Sequence, residues 1–177
     1  MIHIRPAVAT DIPRLVTLDH TSTSDYVWQL DLRREADQVG AGFREIRLPR
    51  TVDLFYPRSP EALKDDWTHR DLTLIALEEN KLVGYACARE DRPSGLAWIT
   101  DLVAAPDQRR KGVATALVDA VQSWWLERGD RRLILEMQSK NHACIRFAQK
   151  SGFDFCGYND RYYATMDVAL FFAKTIK

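Results

Sequence analysis

An apolar stretch, a short basic turn and a long amphipathic pattern follow one another between residues 97 and 127, and they constrain the fold of this chain more than any other feature. Residues 97–104 are rich in the apolar side chains that suit a buried strand. After the turn, apolar and polar side chains recur on opposite faces of a helical pattern. The apolar positions are Val113, Leu117, Ala120, Val121 and Trp124, and the polar ones are Asp119, Gln122 and Glu127. We therefore predict a buried strand that passes through a basic turn into an amphipathic helix.

The turn itself carries three cations and a glycine where a helix usually begins with an acid or a hydroxyl residue. Residues 109–111 read Arg-Arg-Lys and precede Gly112, and no acidic residue lies between Gln108 and Asp119. Free N–H groups at a helix start attract anions, and a glycine lets a ligand approach the backbone closely. The turn therefore predicts a phosphate-binding site. The sequence contains neither G-x-x-x-x-G-K-[ST] nor G-x-G-x-x-G, which argues against the two common nucleotide-binding loops.

A second strand and helix follow this first pair. Arg132–Gln138 reads as a short buried strand, and Asn141 is a good N-cap residue for the helix after it. Lys150 is suited to the last helical turn, and Gly152 is suited to a left-handed residue that ends the helix. The spacing predicts a helix from about residue 142 to residue 150.

Together these two segments resemble the GNAT N-acetyltransferase superfamily, whose members use acetyl-CoA. Arg109, Gly112 and Ala114 fill the fixed positions of its Arg/Gln-x-x-Gly-x-Gly/Ala pyrophosphate loop, and residues 141–153 are similar to its second motif, N-x-x-A-x-x-F-Y-x-K-x-G-F. The resemblance implies a single α/β domain over residues 1–177, with a mixed, mostly antiparallel sheet flanked by helices. It also implies an acetyl-CoA co-substrate, with its pyrophosphate on the loop and its pantetheine arm paired with the strand before it. The implied binding residues are Leu102, Val103, Ala104, Arg109, Arg110, Lys111, Gly112, Val113, Ala114, Thr115, Asn141, Cys144, Phe147 and Lys150.

One position departs from the family pattern. Where the second motif commonly has a tyrosine that protonates the leaving thiolate, this chain has Ala148, whose side chain cannot transfer a proton. Either another residue supplies the proton, or water does, or the chain binds acyl-CoA without catalysis. Our candidate acid is Tyr163, preferred over Tyr162 and Tyr158. We expect the segment after the second helix to form a strand beside residues 132–138 and to bring the chain back toward the thiol.

Asp101 and Glu136 are the two carboxylates embedded in otherwise apolar predicted strands. An amine must lose a proton before it attacks a thioester, and a carboxylate in a low-dielectric site can accept that proton near neutral pH. Both residues are therefore candidate proton acceptors, and Asp101 also lies where many members of the family carry an acid just before the loop. The alternative for each is a structural carboxylate that binds a loop N–H group.

A narrower resemblance concerns the acceptor. Residues 135–141, and the ending from Tyr162 to Phe172, are similar to streptothricin acetyltransferases, which acetylate a β-lysyl amine of an antibiotic. This resemblance implies a small-molecule, cationic amine as the acceptor, and a protein or peptide amine stays open. Two other classes of protein also stay open. One is a noncatalytic acyl-CoA-binding or regulatory module, which Ala148 favours, and the other is an interaction protein without a CoA site.

Composition narrows the partners. Lys plus Arg and Asp plus Glu number 25 each, so no global charge favours nucleic acid or a membrane surface. The sequence has no apolar run of about 18 residues and does not start like a signal peptide. We therefore expect a cytoplasmic protein that binds neither nucleic acid nor a membrane. The three cysteines predict buried free thiols, and the four histidines form no ligand cluster, so we expect no metal site. Exposed strand edges and Trp28, Trp67 or Trp98 would allow a homodimer.

The remaining pattern alternates strands and helices, which fits one mixed α/β domain. The predicted strands are Ile2–Arg5, Tyr26–Leu32, Leu72–Leu77, Lys81–Arg89, Phe153–Tyr158 and Met166–Ala173, and the predicted helices begin at Thr10 and at Ser59. Between them, Pro49 and Pro57 should break the chain into short β-like pieces. Residues 20–70 fit the family least well. We interpret them as a β-rich insertion that is either a lid over the acceptor or a solvated hairpin beside the sheet.

Overall fold

A computed structural model describes residues 1–91, 94–129 and 132–176 of the chain. Within these residues it has nine β-strands and four α-helices. The strands are β1 Ile2–Pro6, β2 Ser22–Arg34, β3 Val39–Leu54, β4 Leu72–Glu78, β5 Lys81–Asp91, β6 Leu96–Ala104, β7 Arg132–Gln138, β8 Asp154–Asn159 and β9 Ala169–Thr175. The helices are α1 Ile12–Val16, α2 Leu63–Asp66, α3 Val113–Leu126 and α4 His142–Lys150.

Seven of the strands form one sheet, in the order β1-β4-β5-β6-β7-β9-β8. Only β6 and β7 are parallel, because α3 carries the chain back along the sheet between them, and the other neighbours are antiparallel. The predicted fold class, a mixed and mostly antiparallel sheet flanked by helices, is confirmed. Among the helices in the described ranges, none is long and apolar enough to cross a membrane.

Helices cover both faces of the sheet. On one face, α3 and α4 contribute the fully buried Leu117, Trp125 and Ile145 to the larger apolar cluster. On the other face, α1 and α2 contribute Leu15 and Leu63 to a smaller cluster against β4 and β5. The burial of apolar side chains on both faces stabilises the sheet between the two layers.

The apolar face of α3 differs from the predicted one by a single tryptophan. Trp125 is fully buried, whereas Trp124, which we predicted on this face, is only partly buried. Trp125 continues the row of Leu117 and Val121 at four-residue spacing, so it points at the sheet. The Arg128 guanidinium lies 3.2 Å from the centroid of the Trp124 ring, in a cation–π contact at the edge of the core.

β2 and β3 form a separate two-stranded sheet, here called the arm, which comprises residues 22–54. The backbone N–H of Trp28 donates to the Ser139 carbonyl at 2.9 Å, and the Trp28 ring packs edge to face on Phe172. The arm is therefore attached to the end of β7 and to β9. The half-buried strand that we predicted at Tyr26–Leu32 lies within β2 and is confirmed.

β3 runs without a break through Pro49, where we predicted that the strand would stop. The register between the two arm strands shifts between Ser24 and Tyr26, so β3 has extra residues around Pro49 that form a bulge. A proline is tolerated there because a bulge does not need its missing N–H. The prediction of short pieces is therefore wrong at Pro49, and β3 ends at Leu54, before Pro57.

Two predicted starts of secondary structure are also wrong. The first helical turn begins after Val8 rather than at Thr10, because the Asp11 carboxylate accepts the Val8 N–H at 2.9 Å. The last strand begins at Ala169 rather than at Met166, whose φ of 62° is left-handed and unsuited to a strand. The hairpin turn between β4 and β5 and the helix start after Ser59 lie where we predicted them.

The order of the last two strands differs from our expectation. β9 pairs with β7, and β8, the strand that follows α4, pairs with β9 at the edge of the sheet. The prediction that the segment after α4 lies beside residues 132–138 is therefore wrong. The turn between β8 and β9, residues 160–168, is what returns the chain to the end of β7, because the Tyr162 hydroxyl donates to Glu136 there at 3.1 Å.

Gly84 in β5 lies directly beneath the first residue of α3. A Cβ at this position would lie 2.5 Å from the Val103 carbonyl oxygen and 2.8 Å from Val113 Cγ1. We therefore expect Gly84→Ala to lower the free energy of unfolding by about 1–3 kcal/mol through overpacking, as measured by chemical denaturation. Gly157→Ala is the matched control, because its Cβ would meet only the Phe171 ring, at 3.7 Å. An equal loss in both variants would contradict the prediction.

Candidate active site

The turn before α3 presents an open set of backbone N–H groups. Arg110 and Gly112 have left-handed φ angles of 63° and 89°, and Gly112 is the N-cap residue of α3. Within the part of the chain that the structure describes, the amides of residues 110–115 have no backbone acceptor, and the first turn of α3 contains no acid. The Arg110 and Lys111 side chains are exposed beside these amides. Such an array is suited to a phosphate group.

Arg109, the first cation of the predicted loop, is directed at the start of the arm. Its Nε donates to the Ala104 carbonyl at 3.3 Å, its Nη1 donates to the Ser22 hydroxyl at 3.4 Å, and its Nη2 donates to the Thr21 carbonyl. Its guanidinium is therefore engaged by three acceptors of the protein, whereas the exposed Lys111 ammonium donates to the side chain of nearby Gln108 at 3.3 Å.

β6 and β7 separate just after their paired segment. The parallel pairing joins Leu96–Ile99 to Arg132–Leu135, and beyond it the last residues of β6 pair only with β5. One backbone edge of Leu102–Ala104 therefore faces the opening between the two strands. An extended ligand can add to a strand edge of this kind through main-chain hydrogen bonds.

A narrow cavity of about 60 Å³ lies at this opening. Its wall includes Leu102, Asn141 and Cys144, which we predicted to contact the co-substrate. Glu136 and Tyr163, two of the three predicted catalytic residues, lie in the same wall. The cavity therefore brings the predicted cofactor side and the predicted catalytic side into contact.

Other predicted residues lie outside the cavity wall. Val103 is buried on the face that α1 and α2 cover, and Phe147 is partly buried against the larger cluster. Lys150 is exposed in the last turn of α4, and Asn141 caps that helix, because its Oδ1 accepts the Cys144 N–H at 3.1 Å. The predicted N-cap is therefore confirmed. Unlike Val103, Phe147 and Lys150, Asn141 also lies in the cavity wall, and none of the described residues accepts a hydrogen bond from its amide nitrogen.

Asp101 lies beside the cavity but not in its wall. The register between β5 and β6 shifts so that Thr100 is an extra residue between Ile99 and Asp101. This bulge turns Asp101 to the face of the sheet that α1 and α2 cover, where it is 4% exposed. Arg70 donates to its Oδ2 at 2.7 Å, and the Tyr56 hydroxyl donates to its Oδ1.

Glu136 is the candidate carboxylate that reaches the cavity, and it is 7% exposed. Arg58 donates to its Oε1, and the Tyr162 hydroxyl donates to its Oε2 at 3.1 Å. Arg58 also donates to the Thr100 carbonyl at 2.6 Å and lies 3.8 Å from Asp101. It therefore bridges the two candidate carboxylates and holds the bulge of β6 in place.

Tyr163 enters the cavity from the turn between β8 and β9. It is 5% exposed, whereas the neighbouring Tyr162 is 43% exposed. Burial raises the pKa of Tyr163, and the Glu136 carboxylate raises it further, while the Arg58 guanidinium opposes this increase. The phenol is therefore protonated at neutral pH. Tyr158, the third candidate acid, packs on the arm instead, with its ring centroid 5.3 Å from that of Phe43.

One cysteine, Cys144, and one alanine, Ala148, limit the chemistry of the site. Burial raises the pKa of the Cys144 thiol to about 12, so the thiolate that a covalent acetyl-cysteine would need is scarce. Ala148 is fully buried in the core. Cys87 is buried as predicted, but Cys156 is exposed on β8, so the prediction of buried thiols is wrong there.

Sequence reasoning missed four polar residues of this site: His20, Tyr56, Arg58 and Arg70. His20 Nε2 lies 2.9 Å from the Tyr85 hydroxyl, and burial lowers the pKa of this imidazole. Tyr56 belongs to an alternating, β-like run with Leu54, which predicts a strand and not a site, and the other three carry no periodic or motif signal. Their only hint was their position inside the segment that we interpreted as an insertion, residues 20–70.

A wider groove of about 530 Å³ adjoins the narrow cavity and shares Ser22, Leu54 and Phe55 with it. Pro106 and Arg109 of the loop side form its other wall. The two ends of the arm therefore lie between the open amides before α3 and the predicted catalytic residues Glu136 and Tyr163.

The sequence model of the Acetyltransferase (GNAT) family matches residues 41–153, which is more than half of the chain. The chain belongs to this family. The match covers the open amides before α3 and the α4 motif, so the predicted family membership is confirmed. A relative with a similar sequence is N-alpha-acetyltransferase 30 of Schizosaccharomyces pombe, 28% identical over 98 residues. That match covers 52% of this chain and 64% of the relative, so the chain spans less than two thirds of the relative's length.

Two solved structures have a similar fold over nearly the whole chain. A nourseothricin acetyltransferase has a TM-score of 0.84 at 23% identity and covers 99% of both chains. A putative streptothricin acetyltransferase from Bacillus anthracis str. Ames, in complex with acetyl coenzyme A, has a TM-score of 0.79 at 20% identity. The match covers 100% of this chain and 99% of that one. At these identities the likeness is one of fold.

Proposed function

We propose that this GNAT protein is an acetyl-CoA-dependent N-acetyltransferase whose acceptor is a primary amine of a small cationic molecule. The narrow cavity carries the proposal, because Glu136 and Tyr163 share its wall with Asn141 and Cys144 of the family's second motif. The fold neighbours, a nourseothricin and a putative streptothricin acetyltransferase, support a small-molecule acceptor.

The chain has a suitable cradle for the co-substrate. The unpaired amides of residues 110–115, with the Arg110 and Lys111 cations beside them, fit a pyrophosphate. The edge of Leu102–Ala104 that β7 leaves open fits the amide groups of a pantetheine arm, although Arg109 already uses the Ala104 carbonyl. Asn141 and Cys144 lie at the inner end of this edge. Bound acetyl-CoA would supply the acetyl group as an activated thioester.

Glu136 is the proton acceptor in this proposal. An ionised carboxylate has about four lone-pair sites, and Arg58 and Tyr162 use two of those on Glu136, so acceptor capacity remains for the amine. Asp101 has a supporting role behind the cavity, where it fixes Arg70 and Tyr56. The two carboxylates and the guanidiniums of Arg58 and Arg70 balance in formal charge at this depth.

A peptide amine is the second candidate acceptor, and the Schizosaccharomyces pombe relative favours it. Thiol release from acetyl-CoA separates the candidates. We expect small cationic amines to accelerate release well above the spontaneous rate, with free lysine and short diamines as first acceptors. If peptides accelerate thiol release and no small amine does, the acceptor is a peptide amine and the proposal of a small-molecule acceptor is wrong. No acceleration by either class, in a protein that binds acetyl-CoA, would favour a noncatalytic binding module.

Tyr163 is the proposed acid that protonates the leaving thiolate. The phenol lies in the cavity wall and is protonated at neutral pH, so a proton is available where the thiolate is expected to leave. We expect Tyr163→Phe to lower kcat by about 10²-fold while the acetyl-CoA Kd stays nearly unchanged. Tyr158→Phe is the matched control, because it removes a phenol whose ring packs on Phe43 of the arm, outside the cavity wall. Steady-state kinetics in which both variants lose the same small amount would exclude Tyr163 as the acid.

A further inference from the structure

Arg109 occupies the position where the family pattern has its first fixed cation, yet the protein itself engages its guanidinium. An arginine has five N–H donors in a planar fork. Three of the Arg109 nitrogens donate to three different acceptors, which are the Ala104 carbonyl at the end of β6, the Ser22 hydroxyl and the Thr21 carbonyl. Two of these acceptors lie at the start of the arm, 87 and 88 residues away in the sequence.

The acceptors on the arm belong to a short segment that forms part of the cavity wall. His20 and Ser22 line the narrow cavity, and Thr21 between them donates its N–H to the Asp19 carboxylate at 2.8 Å. We call residues 19–22 the acceptor wall. Hydrogen bonds from Thr21 lower the pKa of Asp19, and the Arg109 charge lowers it further, so the guanidinium also acts on the start of this segment.

We infer that Arg109 is a positioning residue, which ties the acceptor wall to the anion-binding turn and does not bind the pyrophosphate. Arg109 precedes Arg110 directly, so an anion that orders the amides of residues 110–115 also restricts the backbone of Arg109. Through its hydrogen bonds, the Arg109 guanidinium then restricts the motion of Thr21 and Ser22 as well. Acetyl-CoA binding therefore strengthens acceptor binding. Because coupling between two sites is reciprocal, a bound acceptor strengthens acetyl-CoA binding by the same factor. The term acceptor wall rests on the proposed function, whereas the tether itself does not.

A charge-conserving substitution separates a tether from a phosphate ligand. Arg109→Lys keeps the positive charge but replaces the fork with a single ammonium. Lys111→Ala is the control, because it removes an exposed cation two residues further on. By calorimetry we expect Lys111→Ala to raise the acetyl-CoA Kd about 3- to 10-fold, and less at high salt. Arg109→Lys and Arg109→Ala should stay within about 3-fold of the wild-type Kd.

Amide hydrogen exchange of residues 19–24 provides the second readout. In the free protein, we expect exchange to be about tenfold faster in both Arg109 variants than in the wild type, because the segment has lost its fork. Saturating acetyl-CoA should slow this exchange in the wild type and in Lys111→Ala, but in neither Arg109 variant. Arg109→Lys keeps the test decisive if Arg109→Ala fails to fold.

Two outcomes would overturn the inference. One is amide hydrogen exchange of residues 19–24 in Arg109→Lys at the same rate as in the wild-type protein. The other is a Kd that rises at least tenfold in Arg109→Ala and recovers in Arg109→Lys, because a recovered charge would mark a phosphate ligand. A wild-type protein that binds no acetyl-CoA would instead contradict the proposed function, and the exchange comparison in the free protein would still decide whether Arg109 is the tether.

Discussion

Gly112→Glu is expected to abolish acetyl-CoA binding, with a rise in Kd of at least about 100-fold, in a protein that remains folded. Gly112 is the N-cap residue of α3 and is exposed, and a Cβ there would meet no atom within 4 Å. The substitution therefore causes no clash. It places a negative charge beside the open amides of residues 110–115, where the pyrophosphate is expected to bind, and isothermal titration calorimetry measures the loss.

Gly129→Glu is the matched control for this prediction. Gly129 follows the other end of α3, its φ of 83° is close to the 89° of Gly112, and its Cβ would also meet nothing within 4 Å. Both variants therefore carry the same charge change and a similar cost of about 1–2 kcal/mol for a left-handed side chain. We expect similar melting temperatures and a loss of binding in Gly112→Glu alone. If Gly112→Glu binds acetyl-CoA like the control, the anion-binding turn has been placed wrongly.

The co-substrate side of the site could be predicted because its chemistry is local in sequence. Residues 109–115 supply the cations, the glycine and the helix start within seven positions, and helix-start rules act over that distance. The Asn141 cap and the end of α4 before Gly152 follow from similarly short patterns. What these patterns could not reveal is the direction of a side chain, and Arg109 is the clearest case.

The acceptor side could not be predicted because its contacts join distant segments. Arg58 lies 42 residues from Thr100 and 78 residues from Glu136, and nothing in its neighbourhood marks it as a bridging residue. The choice between the two carboxylates depended on one bulge. If Thr100 were an ordinary strand residue rather than a bulge, strict alternation would place Asp101 on the same face as Ile99, and no sequence rule located that bulge.

Tyr163 was placed near the site on an expected strand order that is wrong. We expected the strand after α4 to lie beside β7, and β9 lies there instead. Strand order depends on which edge each strand finds in the assembled sheet, and local pattern does not contain that information. Tyr163 nevertheless lines the cavity, because residues 160–168 cross from β8 to the inserted β9 and pass the end of β7.

Glu136→Gln is expected to lower kcat by at least about 10²-fold, because it removes the carboxylate that accepts the amine proton. The glutamine side chain has nearly the same size as that of Glu136, and its amide oxygen can still accept the hydrogen bond from the Tyr162 hydroxyl. Without a base, turnover depends on the free neutral amine, whose fraction rises toward its pKa of about 10. We therefore expect the rate of Glu136→Gln to increase about tenfold per pH unit up to that value, whereas the wild-type rate levels off at lower pH. Steady-state rates between pH 6 and about pH 10 test this difference.

Asp101→Asn separates the two carboxylates that the sequence left as alternatives. Asp101 and Arg70 form an ion pair at 2.7 Å, with side chains only 3% and 6% exposed, so breaking it should lower the free energy of unfolding by about 3–5 kcal/mol. Because Asp101 lies outside the cavity wall, we expect the folded fraction to retain the wild-type shape of the pH profile. Glu136→Gln also breaks an ion pair, that with Arg58, so the pH profile is what distinguishes the two variants, and we expect it to change in Glu136→Gln. A pH profile that changes in Asp101→Asn and not in Glu136→Gln would transfer the role of proton acceptor to Asp101.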